Sequence, residues 1–528
     1  MDYFDNRDDL ELLTAKKVTQ DDSPILEFYK GKNILITGGS GFFGKVLLEK
    51  LLRTCGGVNK IYLLMRPKRG KTPSERMKEQ FNDLLFEKMK EQTPNYLSKV
   101  ELVEGDMSED RIGLSDADYD KLMREVHIIF HAAASLRMDE HLRYAYQTNV
   151  TATKFLLEMA RKMPQLKSMI HFSTAYSHAH RKHFGERFYS TELTSEDIQQ
   201  LFENLDDWQI GAITSKVVGK WLNTYGYTKA LAENMVQTYR EKYGLPVAVA
   251  RPSIVVSTYK DPVRAWINNV YGATGVLAGA ALGVLHTFYC DKYKRADLIP
   301  VDYVIHASIA MAWQIANQEL KPGKDPVFNL VSTHYHKDLT WDKFMWFNEN
   351  AHVQQRLEAT VAVWPYSFRL ENWRLKYEIE CVQMHIIPAI IFDTMLRLAG
   401  KPPMLLRTFR KVISFVSFFY PYCQREWDYE SNNVAELNSE LTPYEREIFQ
   451  FDIKKVDWND FFWYYMRGLR LYVVKDDMST LPEARIKSRR KKVLHKALLI
   501  SIYAFRAYVV YLAVSFICSC IKSRFIVV

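Results

Sequence analysis

The chain has 528 residues, 48% of them apolar, 13% aromatic and 25% charged, a balance that excludes disordered, collagen-like and low-complexity chains. The net charge is +9, but seven basic residues fall between Arg485 and Lys496, and without them the chain is about +2. A broadly basic, nucleic-acid-binding surface is therefore excluded.

In chain order, residues 1–29 are acid-rich and lack a hydrophobic run, so they read as a leader and not as a secretory signal. Six short apolar runs follow, at 33–37, 60–65, 100–103, 126–131, 168–173 and 246–250. Each is rich in Val, Ile or Leu, as buried parallel strands are. Most alternate with stretches of helical spacing, which predicts an α/β fold with a doubly wound parallel sheet. After about residue 300 the rhythm changes to long aromatic-rich helical stretches. The expected division is a sheet domain over 30–375, a smaller mainly helical domain over 376–478 and a basic linker over 479–496. Residues 272–290 carry no charge but hold four glycines, which reads as a pocket-lining loop or helix and not a span.

The tail 497–521 is 25 residues with one charge, Arg506, long enough to cross a bilayer, for which about 20 residues are needed. The basic run before it predicts that the bulk of the chain stays on the cytoplasmic side of a membrane. An interfacial helix is the alternative, since Arg506 is costly at the bilayer centre. The six cysteines show no CxxC pair and no zinc-like His cluster, so neither a disulfide framework nor a metal is expected.

The strongest motif is Thr37-Gly-Gly-Ser-Gly-Phe-Phe-Gly44, set between a strand and a helix. Gly38 allows a tight turn, Gly41 a close backbone approach to a pyrophosphate, and Gly44 close helix–sheet packing. The helix N-terminus offers N–H groups to phosphates. An NAD site places an acid near the end of the second strand to hold the ribose. Here that strand runs into Arg66-Pro-Lys-Arg-Gly-Lys71, whose four cations suit the 2′-phosphate of NADPH, unless they are simply a solvated loop. Asp106 is a candidate acceptor for the adenine amino group, or the pivot of an Asx turn.

The chemistry is carried by Tyr225 and Lys229, spaced i, i+4 on one helix face. A phenol titrates near 10, so it serves as an acid at neutral pH only when a cation such as Lys229 favours phenolate. Tyr227 faces elsewhere and is assigned to packing. Thr174, at the carboxyl end of the fifth strand, is the first choice to hydrogen-bond a reacting carbonyl, with Ser173 second; either hydroxyl could instead cap its own turn.

Together these motifs resemble the extended short-chain dehydrogenase/reductases. More narrowly, Leu64-Met-Arg-Pro-Lys-Arg-Gly-Lys71, His171-Phe-Ser-Thr-Ala-Tyr176, Thr224-Tyr-Gly-Tyr-Thr-Lys-Ala-Leu-Ala-Glu233, Arg251-Pro-Ser-Ile254 and Leu298-Ile-Pro-Val-Asp302 resemble the alcohol-forming fatty acyl-CoA reductases of animals. Pro388-Ala-Ile-Ile-Phe-Asp393, Asp457-Trp458 and Gly468-Leu-Arg-Leu-Tyr472 are similar to that family's male-sterility-type C-terminal domain. The resemblance covers about residues 30–475 and the tail. One departure is Gly226 with Tyr227, where Thr-Phe is expected. The resemblance implies NADPH-dependent reduction of a long-chain acyl-CoA through an aldehyde to a primary alcohol, releasing CoA. Thr174, Tyr225, Lys229 and Ser173 are the catalytic candidates. Thr37, Gly38, Gly41, Phe42, Gly44, Arg66, Asp106 and Pro252 are the cofactor-binding ones. Membrane lipid is the other expected partner, at the endoplasmic reticulum or alternatively the peroxisome. The competing readings are a tethered reductase of a sterol or nucleotide-sugar, disfavoured by the aromatic helical domain, and a non-catalytic cofactor-binding scaffold, disfavoured by the intact hydroxyls.

Overall fold

A run of four to six Val, Ile, Leu and aromatic residues, with a turn or helix on either side, satisfies its backbone only beside another such run. Seven do so here: β1 (Asn33–Thr37), β2 (Lys60–Met65), β3 (Val100–Glu104), β4 (Ile128–His131), β5 (Ser168–Phe172), β6 (Val247–Pro252) and β7 (Val327–Leu330). In this computed structural model, which describes residues 23–317, 323–355 and 357–525, they form one sheet in the order β7-β6-β5-β4-β1-β2-β3. Every pairing is parallel. Residues 1–22 of the expected leader and the last three residues lie outside the described part.

Helices cover both faces. α1 (Phe42–Thr54) and α5 (Val301–Ala316) pack on one side, and α3 (Ala152–Lys162) and α4 (Thr224–Tyr243) on the other, with α2 (Pro73–Phe81) following β2. Leu35, Ile129, Met169 and Val249 of the sheet meet Leu156 and Leu157 of α3 and Leu231 and Val236 of α4 in one core. The first six strands fall where the apolar runs predict them. β7 is a correction: it lies beyond the point where alternation was expected to end. Its four residues are too few to show a period, and it becomes a strand by pairing with β6.

The chain divides into two compact units that interleave along the sequence. The sheet unit takes residues up to 267, then 294–340 and 425–461. The second unit takes 268–293, 341–424 and 462 onward, and is mainly helical, including α6 (Ile387–Leu398), α7 (Leu405–Ser417) and α8 (Leu481–Phe525). Within it, residues 272–290 supply a nine-residue helix, Ala273–Ala281, and a short strand, Thr287–Tyr289. Nine residues are too few to cross a bilayer.

Candidate active site

The carboxyl ends of the central strands are where a doubly wound sheet offers a crevice, because the loops there diverge to opposite faces. The glycine loop after β1 opens into it. Gly38 has φ +75°, and a Cβ on it would lie 2.7 Å from the backbone nitrogen of Ala133 after β4. A Cβ on Gly44 would meet the Gly38 carbonyl at 2.2 Å. Both positions need glycine, the first for its left-handed backbone and both for space. α1 begins at Gly41 with no side-chain cap, so its first N–H groups face outward unclaimed by a capping residue. Thr37 ends β1 beside this cradle. Its hydroxyl meets His131 Nδ1 at 2.7 Å and accepts from the Ala133 N–H, holding the β1 and β4 ends together. The Phe42 ring stacks on Trp266 at 5.7 Å.

Arg66 and Asp106 lie side by side, with the guanidinium donating to the carboxylate at 2.8 Å. The other Asp106 oxygen accepts from the Ser108 N–H and hydroxyl, which is the Asx turn foreseen as an alternative. Arg76 of α2, unnoticed in the sequence, donates to the Arg66 carbonyl and, at 2.9 Å, to Ser40 in the glycine loop. Lys68 is held below its ordinary value by burial and then by Arg66, Arg76 and Arg69. Lys71 instead pairs with Glu79. Arg66, Lys68, Arg69 and Arg76 thus form a crowded cationic corner beside the loop. Arg76 was hidden because its helix starts with its own capping box, Thr72 to Glu75, and reads as ordinary surface helix.

α4 carries the Tyr-x-x-x-Lys pair. Asn223 caps it through the Gly226 N–H, and a Cβ on Gly226 would sit 3.3 Å from the Tyr176 carbonyl, so the smaller residue lets the first turn close on the segment after β5. Lys229 is buried and donates to the Phe172 carbonyl at the end of β5, at 2.7 Å. Burial brings its ammonium down to about 8, with Glu233 one turn along pulling the other way. Tyr227 is buried against Trp221, as its spacing predicts. Tyr225 stays half-buried. The Thr174 hydroxyl accepts from the Tyr176 N–H at 3.2 Å, which fixes its oxygen and leaves its proton to donate. Burial, and then the Lys229 charge, pull His131 down to about 3 and His171 well below its usual value, so both imidazoles are neutral.

The Ser173 hydroxyl is engaged by Glu233, which forms a fully buried ion pair with Arg251 at the end of β6. Burial pushes the Glu233 carboxyl up, but the Arg251 charge and hydrogen bonds outweigh it and hold the group below its usual range. Arg251 also donates to the carbonyls of Gly185 and Arg187. The Pro252 carbonyl accepts from the Ala175 N–H. The network locks β5, β6 and α4 together directly beneath Thr174. Both charged residues stood inside recognised motifs; an Arg closing a Val-Ala-Val-Ala run was the available signal. Residues 425–461 complete this side: Trp427 donates to the Ala179 carbonyl, Tyr429 to that of Ala175, and Trp427 packs edge-on against Tyr176 at 5.2 Å.

A sequence-family model for an NAD-binding domain, described as "Male sterility protein", matches residues 36–308, and a second with the same description matches 384–476. Fatty acyl-CoA reductase wat of Drosophila melanogaster is 36% identical over 494 residues, 93% of this chain and 94% of its own length. Fatty acyl-CoA reductase 2 of Bos taurus is 35% identical, covering 90% of each chain. The chain belongs to the fatty acyl-CoA reductase family. The match to an NAD-binding domain supports a nicotinamide cofactor, and the Gly38 and Gly44 cradle with the uncapped α1 N-terminus would suit its phosphates. Among solved structures, the terminal R domain of the myxalamid pathway aligns with TM-score 0.52 at 19% identity, over 83% of this chain and 90% of that one. A non-ribosomal peptide synthetase R domain from Mycobacterium tuberculosis gives 0.54 at 17%, over 89% and 97%. Both share the fold.

Proposed function

We propose that this protein reduces long-chain fatty acyl-CoA to the primary alcohol with NADPH, through an aldehyde and with release of CoA. The observation that carries the reading is the meeting of Lys229 with the end of β5, next to Thr174 and one turn beyond Tyr225, in a chain that aligns with fatty acyl-CoA reductases over nine-tenths of its length.

A bound nicotinamide supplies hydride to the carbonyl carbon. Thr174 and Tyr225 donate hydrogen bonds to the carbonyl oxygen as it gains charge. In the first reduction the hemithioacetal collapses, expelling the thiolate of CoA and leaving the aldehyde. In the second, which consumes a second NADPH, Tyr225 gives its proton to the alkoxide. Lys229 holds positive charge behind the phenol and so lowers the cost of that transfer. Ser173, the second choice for the carbonyl, is assigned to holding Glu233. The preference for NADPH over NADH rests on the cationic corner, where Arg66, Lys68 and Arg76 crowd together and Asp106 pairs with Arg66 alone. A 2′-phosphate would relieve that repulsion.

The tail 497–521 attaches the protein to a membrane, with the basic run 485–496 and both folded units on the cytoplasmic side, at the endoplasmic reticulum. Helix composition supports the attachment: within 478–515 an 18-residue stretch has a mean hydropathy of 1.9, and no part of that stretch is buried. The test is turnover on membranes carrying the expressed chain, with NADPH or NADH and a panel of acyl-CoAs, quantifying alcohol, aldehyde and CoA. NADPH-dependent alcohol and stoichiometric CoA are expected. Aldehyde as the end product would remove the second reduction, and neither product would remove the reading.

A further inference from the structure

α6 presents the wrong face to water. Ile387, Ile390, Ile391, Met395 and Leu398 recur at i, i+3, i+4, i+8 and i+11, one side of a helix, and all are exposed, Leu398 by 85%. A helix of a water-soluble protein turns such a stripe inward. Here the side chains buried on α6 are Ala389 and Asp393, so the small and polar face packs and the apolar face is presented outward. Contiguous apolar surface of this kind marks a contact.

The charges around the stripe are of one sign. Between Cys381 and Cys423 there are five cations, Arg397, Lys401, Arg407, Arg410 and Lys411, and a single acid, Asp393. That acid does not offset them at the surface. It accepts the N–H groups of Met404, Leu405 and Leu406 at 2.8–2.9 Å, pinning the connection from α6 to the start of α7. The result is a rigid helical hairpin with an apolar face and a cationic rim.

Length decides how it would meet a bilayer. α6 has twelve residues, about 18 Å, against a hydrocarbon core of about 30 Å. Extending the tract back to Arg374 gives 25 residues, of which the most apolar 18 have a mean hydropathy of 1.4, but it brings in Arg374, Lys376, Glu378 and Glu380. The hairpin therefore suits the plane of the interface and not a crossing. Met384, just before α6, lines a shallow cleft with Leu499, Ile502 and Tyr503 of α8, so the root of the hairpin adjoins the place where α8 turns apolar.

We propose that the α6–α7 hairpin is a second membrane contact, laid flat on an anionic lipid surface with Ile390, Ile391 and Met395 among the acyl chains and Arg407, Arg410 and Lys411 at the headgroups. A protein partner would need acidic complement around an equally long apolar groove; an anionic leaflet supplies both over any area. The inference rests on the membrane attachment proposed above only for the bilayer as partner, and it acts independently of 497–521.

The test uses full-length chains and flotation with phosphatidylcholine vesicles, with or without phosphatidylserine. Val509→Lys with Val510→Lys and Leu512→Lys breaks the α8 stretch. That chain is expected to float with phosphatidylserine vesicles, and at least tenfold less without them. Adding Ile390→Glu, Ile391→Glu and Met395→Glu is expected to cut flotation at least tenfold, with NADPH binding retained. Arg407→Gln with Arg410→Gln and Lys411→Gln in the same background is the milder variant, expected to lose the phosphatidylserine dependence. A broken-α8 chain that stays soluble with both vesicles overturns the proposal. So does equal flotation after either hairpin substitution, or a Glu variant that dissociates an oligomer in the absence of lipid. If the Glu substitutions alone release the chain with α8 intact, the hairpin is supported and the span at 497–521 fails.

Discussion

The two units differ in where they leave apolar surface and where they concentrate buried charge. In the sheet unit, ionisable groups go inside and are matched: Glu233 with Arg251, and Asp261 with Lys50, Arg53 and His306. In the second unit, the Ile390 to Leu398 stripe and much of α8 leave apolar side chains outside. A buried charge is tolerated only where partners are fixed, so the first arrangement gives a catalytic site whose electrostatics cannot relax. An exposed apolar face is tolerated only where water is not the neighbour, so the second gives a surface adapted to another phase. On the function and membrane contacts proposed above, catalysis and location fall to different units, and each proposal can be broken separately.

The largest break is at the proton donor. Tyr225→Phe removes one hydroxyl and should lower kcat/KM for alcohol formation by about 10²–10⁴-fold while NADPH binding and membrane association persist, read by product analysis beside cofactor fluorescence. Next is the buried pair. Arg251→Leu strands the Glu233 carboxylate at zero exposure and should cost about 3–5 kcal/mol, seen as a lowered Tm with little change in flotation. A fall in lipid binding equal to the fall in Tm would blur the division of labour. Third is cofactor choice. Arg66→Gln with Arg76→Gln should reduce the NADPH-over-NADH ratio of kcat/KM by about 10–100-fold, since charge-assisted hydrogen bonds contribute about 1.5–3 kcal/mol. An unchanged ratio would move the 2′-phosphate elsewhere.

The same contrast explains what the sequence could show. Strands β1 to β6 were legible because a buried parallel strand needs a continuous apolar run, and Gly38, Gly44, Tyr225 and Lys229 because their spacing is imposed by local backbone geometry. β7 and Arg76 were not, since each takes its role from a partner far away in sequence, β6 for one and Ser40 for the other. Ser173 and Thr174 are neighbours on paper; only Glu233, sixty residues on, separates an engaged hydroxyl from one with a proton to give. The interleaving of the units, with 425–461 folded into the sheet unit, is likewise a matter of long-range contact that hydropathy does not register.

The smallest expected effect is the most diagnostic of the site's electrostatics. Burial lowers Lys229 to about 8 from its ordinary 10.5, and the unfolded chain keeps the ordinary value. Below about 8 both states hold the proton, and the folded chain bears the full penalty of a buried ammonium. As pH rises through 8 the folded chain releases that proton first, so the unfolded state binds more protons and stability rises until about 10.5. Activity should move the other way, because Tyr225 loses the cation behind it; kcat/KM should fall by up to about tenfold per pH unit above 8. The neighbouring His131 and His171 are neutral throughout this window, and Glu233 is ionised, so none of them produces either trend. Measured together, Tm rising while kcat/KM falls identifies a buried lysine that is costly to the fold and needed by the reaction. Lys229→Met should abolish both slopes, and a variant that kept the activity limb would assign that limb to the phenol itself.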